Sequence, residues 1–238
     1  MKAVLIAGGK GTRLYPYTAI FPKPLVPVGD RPILQILITQ LKHYGFDDVT
    51  MCVGHLSYLI KSYFGDGKEF GVKINYSQEE KPLGTVAPLS LLSNLPKTFL
   101  VCNGDLLTDA NFKKMVAKHK KQKAILTVGV YKRHEKIELG VLETNKGQIT
   151  AYKEKPEFDF TVSAGVYIFD KKALKYIPKN EYFDFPSLVN KLLENKEKVI
   201  PFEIDGYWLD IGRPDDYQKA IEKYTSEKEM FLKELHAK

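Results

Sequence analysis

Cysteine, tryptophan and arginine are all scarce in this chain of 238 residues, which carries two, one and four of them respectively. Cys52 and Cys102 each sit inside an apolar, β-like run with no partner at metal-ligand spacing. That excludes a disulfide framework or a zinc site and leaves two reduced, structural thiols. Long apolar stretches are missing as well. The opening run Ala3-Val4-Leu5-Ile6-Ala7 stops at Gly8-Gly9, short of a signal-peptide core, and Ile33 to Ile38 is interrupted by Gln35. Nothing approaches the ~20 apolar residues of a membrane-spanning helix. The chain therefore reads as soluble and cytoplasmic, with no membrane partner. The scarcity of arginine weakens a nucleic-acid reading of the net charge of +7, because the lysines are spread among acidic residues. The densest run, Lys113 to Lys123, reads as the solvated face of a helix. His55, His119 and His134 share no spacing with carboxylates or cysteines and read as surface or loop residues.

What is present suits an ordinary globular protein: 44% hydrophobic and 27% charged residues, without internal repeats or low-complexity stretches. The length predicts one domain over residues 1–224, followed by a charged helical tail over 225–238. In the first half, β-branched runs alternate with helix-period segments, the pattern of a mostly parallel sheet covered by helices. Strands are expected near 3–7, 49–53, 73–76 and 98–102. The helix between the first two takes Pro32 in its first turn and Gly45 as its stop. From Ala124 onward the expected strands are 125–131, 140–143, 149–153, 163–169 and 199–203, the second and third joined by an Asn145-Lys146-Gly147 turn. Helices are expected at 186–194 and 214–224. The outcome is an α/β fold with a mixed, mostly parallel sheet.

The first strand runs straight into Gly8-Gly9-Lys10-Gly11-Thr12-Arg13-Leu14. Without Cβ atoms, such a loop lets backbone N–H groups close on a polyphosphate, although an ordinary tight turn has the same composition. Its place after a strand of an open sheet favours the anion. Arg13, one of the few arginines, can clamp phosphate oxygens bidentately. Ten residues later the prolines of Phe21-Pro22-Lys23-Pro24-Leu25 hold Lys23 on an extended backbone.

These two segments resemble the signature of the sugar-1-phosphate nucleotidyltransferase family. Its remaining elements follow in order: Glu79-Glu80-Lys81-Pro82-Leu83-Gly84-Thr85, Asn103-Gly104-Asp105, Glu154-Lys155-Pro156, Ser163-Ala164-Gly165-Val166-Tyr167 and Gly206-Tyr207-Trp208-Leu209-Asp210-Ile211-Gly212. The resemblance covers residues 1–224 and implies a Rossmann-like three-layer sandwich. It also implies attack of a sugar phosphate oxygen on the α-phosphorus of a nucleoside triphosphate, releasing pyrophosphate. Such a transfer needs positioned cations and donors more than a strong base. By this likeness Arg13 grips the departing phosphates, Lys23 bridges oxygens near the α-phosphate, and Asp105 joins them as the third catalytic residue. Leu5, Ala7, Gly8, Gly9, Gly11, Thr12, Glu79, Gly84, Thr85, Asn103 and Gly104 are implied to contact the nucleotide. Gly140, Glu154, Lys155, Ser163 and Gly165 are implied to contact the sugar phosphate. Asp105 and Asp210 would together hold Mg²⁺, which takes one or two carboxylates plus phosphate oxygens. The bland alternative makes Asp105 a turn cap and Asp210 a helix cap.

Two residues bear on the base and the sugar. Glu79 stands where thymidylyl and uridylyl relatives carry Gln, and a carboxylate is acceptor-only. Guanine offers adjacent N1–H and N2–H₂ donors that suit it, which favours GTP and is most similar to mannose-1-phosphate guanylyltransferases. Ser163 replaces an Asn common among relatives, so the sugar, mannose- or heptose-type, stays open. The alternatives are the same reaction with CTP, dTTP or UTP, or a non-catalytic nucleotide-sugar-binding subunit. A monomer or small homo-oligomer is expected.

Overall fold

The computed structural model describes residues 1–79 and 81–232; Glu80 and residues 233–238, the end of the expected tail, lie outside the described residues. In chain order the strands are β1 (Lys2–Ala7), β2 (Pro27–Val28), β3 (Arg31–Pro32), β4 (Asp48–Val53), β5 (Lys73–Gln78), β6 (Thr98–Asn103), β7 (Leu106–Thr108), β8 (Leu126–Lys136), β9 (Val141–Asn145), β10 (Gln148–Lys153), β11 (Glu157–Asp170), β12 (Val199–Glu203) and β13 (Trp208–Asp210). The helices are α1 (Ile33–His43), α2 (Ser57–Phe64), α3 (Phe112–Gln122), α4 (Phe185–Glu194), α5 (Pro214–Ser226) and α6 (Lys228–Phe231). None of the described helices is long and apolar enough to cross a membrane.

Seven strands form the central sheet in the order β12-β8-β11-β6-β1-β4-β5. The pairs β1/β4, β1/β6, β4/β5 and β8/β12 are parallel, whereas β11 runs antiparallel to both β6 and β8. The sheet is mixed and mostly parallel, as the sequence implies. Strand β1 shows why three layers form. Ala3, Leu5 and Ala7 enter one apolar cluster, which includes Leu37 of α1, Ile60 of α2 and Met115 of α3. Val4 and Ile6 enter another, with Phe185, Leu188 and Leu192 of α4. Alternate side chains leave opposite faces of a strand, so a continuous apolar run demands a cover on both sides.

A third cluster stands apart from the sheet. Leu14, Val26, Val28 and Ile211 meet Tyr217, Ala220 and Tyr224 of α5, with Phe231 of α6 and Leu232 beyond it. The stretch after 224 is thus more than a charged helical tail, since Phe231 and Leu232 are buried.

Several local expectations shift. Helix α1 starts at Ile33, with Pro32 just outside it. Strands β8 and β11 extend well past the sheet, pairing as far as Lys136 and Glu157, and with the β9–β10 hairpin they form a projecting arm. A register shift between Ser163 and Tyr167, with Gly165 at φ 68°, separates the arm from the sheet part of β11. His119 is not a surface residue. It is 2% exposed in α3, and its Nδ1 is 2.9 Å from the Thr127 hydroxyl on β8. His55 and His134 are exposed, and both cysteines are buried free thiols.

Candidate active site

Strand β1 has β4 on one side and β6 on the other, so the chain's crossovers leave it in opposite directions and open a crevice at the strands' carboxyl ends. The glycine loop leaves β1 into that crevice. A cavity of about 400 Å³ there is lined by Ala7, Gly8, Gly9, Gly11, Thr12, Arg13, Lys23, Glu79, Gly84, Thr85, Asn103, Gly104, Asp105 and Asp210. Gly11 takes φ 64°, and a Cβ on it would press on Lys23 Cβ and Thr18 Cγ2, both at 3.0 Å. The missing side chain lets the lysine segment lie against the loop. Lys23 is not extended as expected. Pro22 is, but Lys23–Leu25 form one turn of 3-10 helix, closed by a 3.0 Å bond from the Val26 N–H to the Lys23 carbonyl.

Four charges converge at one end. The Lys23 ammonium donates to Asp105 Oδ2 and stands 3.6 Å from Asp210 Oδ1. The Arg13 guanidinium lies beside Gly212, whose Cβ, if present, would be 3.7 Å from it. Burial pushes the Asp210 carboxyl above its ordinary value, and the Asp105 charge pushes the same way; Lys23 and Arg13 oppose them. Asp105 Oδ1, Asp210 Oδ1 and Asn103 Oδ1 are buried acceptors without a hydrogen-bond partner. Orphaned buried acceptors are costly, and two from facing carboxylates suit a divalent cation. Among the described residues no cluster of three or more His, Cys, Asp or Glu forms at this site or elsewhere, so the candidate rests on the pair Asp105 and Asp210.

Glu79 occupies the other end. Its Oε2 accepts the Leu83 N–H at 2.9 Å, and Oε1 lies against the Gly8 backbone, 2.5 Å from where a Cβ would stand. Burial raises its pKa, partly offset by the Leu83 N–H.

A second cavity of about 450 Å³ opens beside the first and shares Thr85, Asn103 and Asp210 with it. Ser163 and Gly165 line it, with Tyr167, Asn190 and Trp208. The Ser163 and Tyr167 hydroxyls share a 3.0 Å hydrogen bond, and the Trp208 Nε1–H is held by the Ala164 carbonyl at 2.8 Å. Gly165 is required, because a Cβ would meet Asn103 Nδ2 at 2.7 Å.

Four of the expected contact residues are elsewhere. Leu5 is wholly buried in the sheet's first cluster, two residues short of the strand end where Ala7, on the same face, reaches the cavity. Gly140, Glu154 and Lys155 are carried out on the arm, exposed and outside both cavity linings. There Glu154 accepts from Tyr152 OH at 2.7 Å, and Gly140 lies against the same hydroxyl. Sequence reasoning missed Tyr182, Pro24 and Asn190 as lining residues. Only Pro24 belonged to a recognisable motif.

The family model for nucleotidyl transferases matches residues 2–227. The chain belongs to that family. The chain is 34% identical over 242 residues to UTP–glucose-1-phosphate uridylyltransferase of Synechocystis sp., covering 93% of the chain and 62% of the relative. It is 32% identical over 225 residues to D-glycero-alpha-D-manno-heptose 1-phosphate guanylyltransferase of Aneurinibacillus thermoaerophilus, covering 92% of the chain and 96% of the relative. Among solved structures, HddC from Yersinia pseudotuberculosis complexed with GMP-PN superposes with a TM-score of 0.72 at 25% identity, covering 94% of the chain and 99% of HddC. The chain spans only 62% of the uridylyltransferase and 64% of the mannose-1-phosphate guanyltransferase beta-A of Xenopus laevis.

Proposed function

We propose that this chain transfers a nucleotidyl group from a nucleoside triphosphate, GTP by preference, to a mannose- or heptose-type sugar 1-phosphate. The products are an NDP-sugar and pyrophosphate. The observation that carries the reaction is the convergence of Lys23, Arg13, Asp105 and Asp210 at one end of a glycine-lined cleft. The sugar phosphate oxygen bonds to the α-phosphorus as the bond from that phosphorus to the bridging oxygen breaks, and pyrophosphate leaves with the electron pair. Lys23 neutralises charge on the oxygens of the transferring phosphate, and Arg13 draws the departing phosphates. Asp105 and Asp210 are the residues that would hold Mg²⁺. When bound, the ion neutralises phosphate charge and fixes the reacting groups in line. Ser163 and Gly165, in the adjoining cavity, are the proposed sugar contacts. Glu154 and Lys155 reach the sugar only if the arm turns inward.

The Glu79 carboxylate supports GTP. With Oε2 already taken by Leu83, Oε1 accepts from no donor among the described residues, and guanine supplies N–H groups to it. A uridylyl reading has one specific support, the similarity to the Synechocystis enzyme. Pyrophosphate release with GTP, UTP, dTTP and CTP, each paired with mannose, glucose and heptose 1-phosphates, separates the two. Glu79→Gln is expected to shift the GTP:UTP ratio of kcat/KM toward UTP by roughly tenfold or more, the scale of one mispaired buried polar group. An unchanged ratio removes Glu79 from base selection. Because burial raises the Glu79 pKa, GTP preference should also weaken as pH falls through a range above the ordinary carboxylate value of 4.5, where protonation turns the acceptor into a donor.

A further inference from the structure

The segment that closes the nucleotide cavity from the side comes from a distant part of the chain and carries no motif. Residues 182–185, leading into α4, are strapped to the loop 83–87. The Phe183 N–H donates to the Leu83 carbonyl at 2.8 Å, and the Phe183 carbonyl accepts from the N–H groups of Val86 and Ala87 at 3.2 and 3.1 Å. The Phe185 N–H adds a bond to Thr85 Oγ1 at 3.1 Å. Gly84 makes this approach possible. It adopts φ 90°, and a Cβ there would sit 2.7 Å from the Phe183 carbonyl oxygen and 3.2 Å from Tyr182 Cε2. The Tyr182 ring is therefore held over the backbone of Gly84 by a strap that is itself rigidly bonded. It lines the same cavity as Glu79 and Pro82, yet is 68% exposed.

The charges fix which end of the cleft is which. A triphosphate belongs with Lys23, Arg13 and the carboxylate pair, so its nucleoside falls at the end formed by Gly8, Glu79, Gly84 and Tyr182. Among the described residues lining the cavity, Tyr182 is the one aromatic. A nucleobase presents a π-face as well as an edge, and Glu79 can read only the edge.

We propose that Tyr182 is the platform on which the base of the triphosphate stacks, supplying affinity common to all bases while Glu79 supplies the choice among them. This rests on the reading of the cleft as a triphosphate site. The backbone bonds of Phe183 and Phe185 set the ring's position and do not involve the Tyr182 side chain, so truncating it leaves the strap in place.

The test is equilibrium binding of GTP, UTP, dTTP and inorganic tripolyphosphate to the unaltered protein and to Tyr182→Ala, Tyr182→Phe and Glu79→Gln, with magnesium and without sugar phosphate. Tyr182→Ala should weaken all three nucleotides by a similar factor, roughly 5- to 150-fold, the range for loss of one base–aromatic stack. Tripolyphosphate should bind as before, and Tyr182→Phe should bind like the parent. Unchanged nucleotide binding by Tyr182→Ala, an equal loss of tripolyphosphate, or a Tyr182→Phe variant as weak as Tyr182→Ala overturns the platform. If the unaltered protein binds none of the four probes, the triphosphate reading falls and takes the platform with it. If only Glu79→Gln fails to alter the GTP:UTP ratio, guanine preference falls and the platform stands.

Discussion

Lys23 shows how one side chain can do two opposing things. Its side chain is 12% exposed, its ammonium stands between the carboxylates of Asp105 and Asp210, and the reading above gives it to the phosphate oxygens as well. In the structure it is a counter-ion for a pair that would otherwise repel; in the proposed reaction it also neutralises developing charge. Lys23→Ala should therefore lower kcat by about 10²- to 10³-fold, the usual cost of removing one preorganised charge-stabilising donor. Pyrophosphate release under saturating substrates measures this. Near-parental turnover would detach Lys23 from the chemistry. The same variant leaves two carboxylates facing each other, and chelation by EDTA should then lower its melting temperature more than that of the parent.

At the scale of elements, a buried imidazole, His119, ties α3 to Thr127 of β8. Burial lowers the His119 pKa below the ordinary 6.5, Lys120 lowers it further, and Asp170 partly opposes both. The unfolded chain therefore takes up a proton at a higher pH than the folded one. Stability is intact above 6.5 and is lost as pH falls from there toward the depressed folded value. Urea midpoints measured on either side of that pH should fall on acidification more in the parent than in His119→Gln, and equal falls would show that folding leaves the His119 pKa unshifted. This residue also marks where sequence reading ends. The lysine-rich helix was legible from its charges, but a histidine among five lysines looks like part of a solvated face until the 3.6-residue turn sets it inward beside Met115 and Val116. The central strands were legible because a continuous apolar run leaves few alternatives. The outer halves of β8 and β11 were not: Lys132 to Lys136 are charged or titratable, and although Phe158 and Phe160 alternate with polar residues, this stretch of β11 is mostly exposed and enters no core. Within the site, residues on loops that leave strands could be named in advance. Tyr182 could not, because its place depends on a strap formed across about 100 residues of chain.

For the molecule as a whole, two of the three apolar clusters build the sandwich and the third builds the floor of the cleft. Leu14 follows Arg13, Val26 closes the turn that carries Lys23, and Ile211 follows Asp210; all three are buried against α5 and α6. Phe231 is fully buried there, with its ring edge-on to Tyr207 at 5.6 Å and tilted against Tyr224 at 6.1 Å. Phe231→Ala should cost about 3–5 kcal/mol, as for other buried aromatics cut back to alanine, read from the urea unfolding midpoint. A loss under about 0.5 kcal/mol, the level of an ordinary surface change, would show that α6 contributes little.

That floor also sets an order of events during synthesis. The glycine loop and the Lys23 turn are made well before the wall that supports them, Tyr217 to Leu232, which follows Arg13 by more than 200 residues. A nascent chain halted before that wall emerges would already contain Arg13, Lys23, Asp105 and Asp210, with no solid backing to keep them aimed at one another. Competence for the proposed triphosphate binding should therefore arrive abruptly, once the segment through residue 232 is outside the ribosome and packed against the loop.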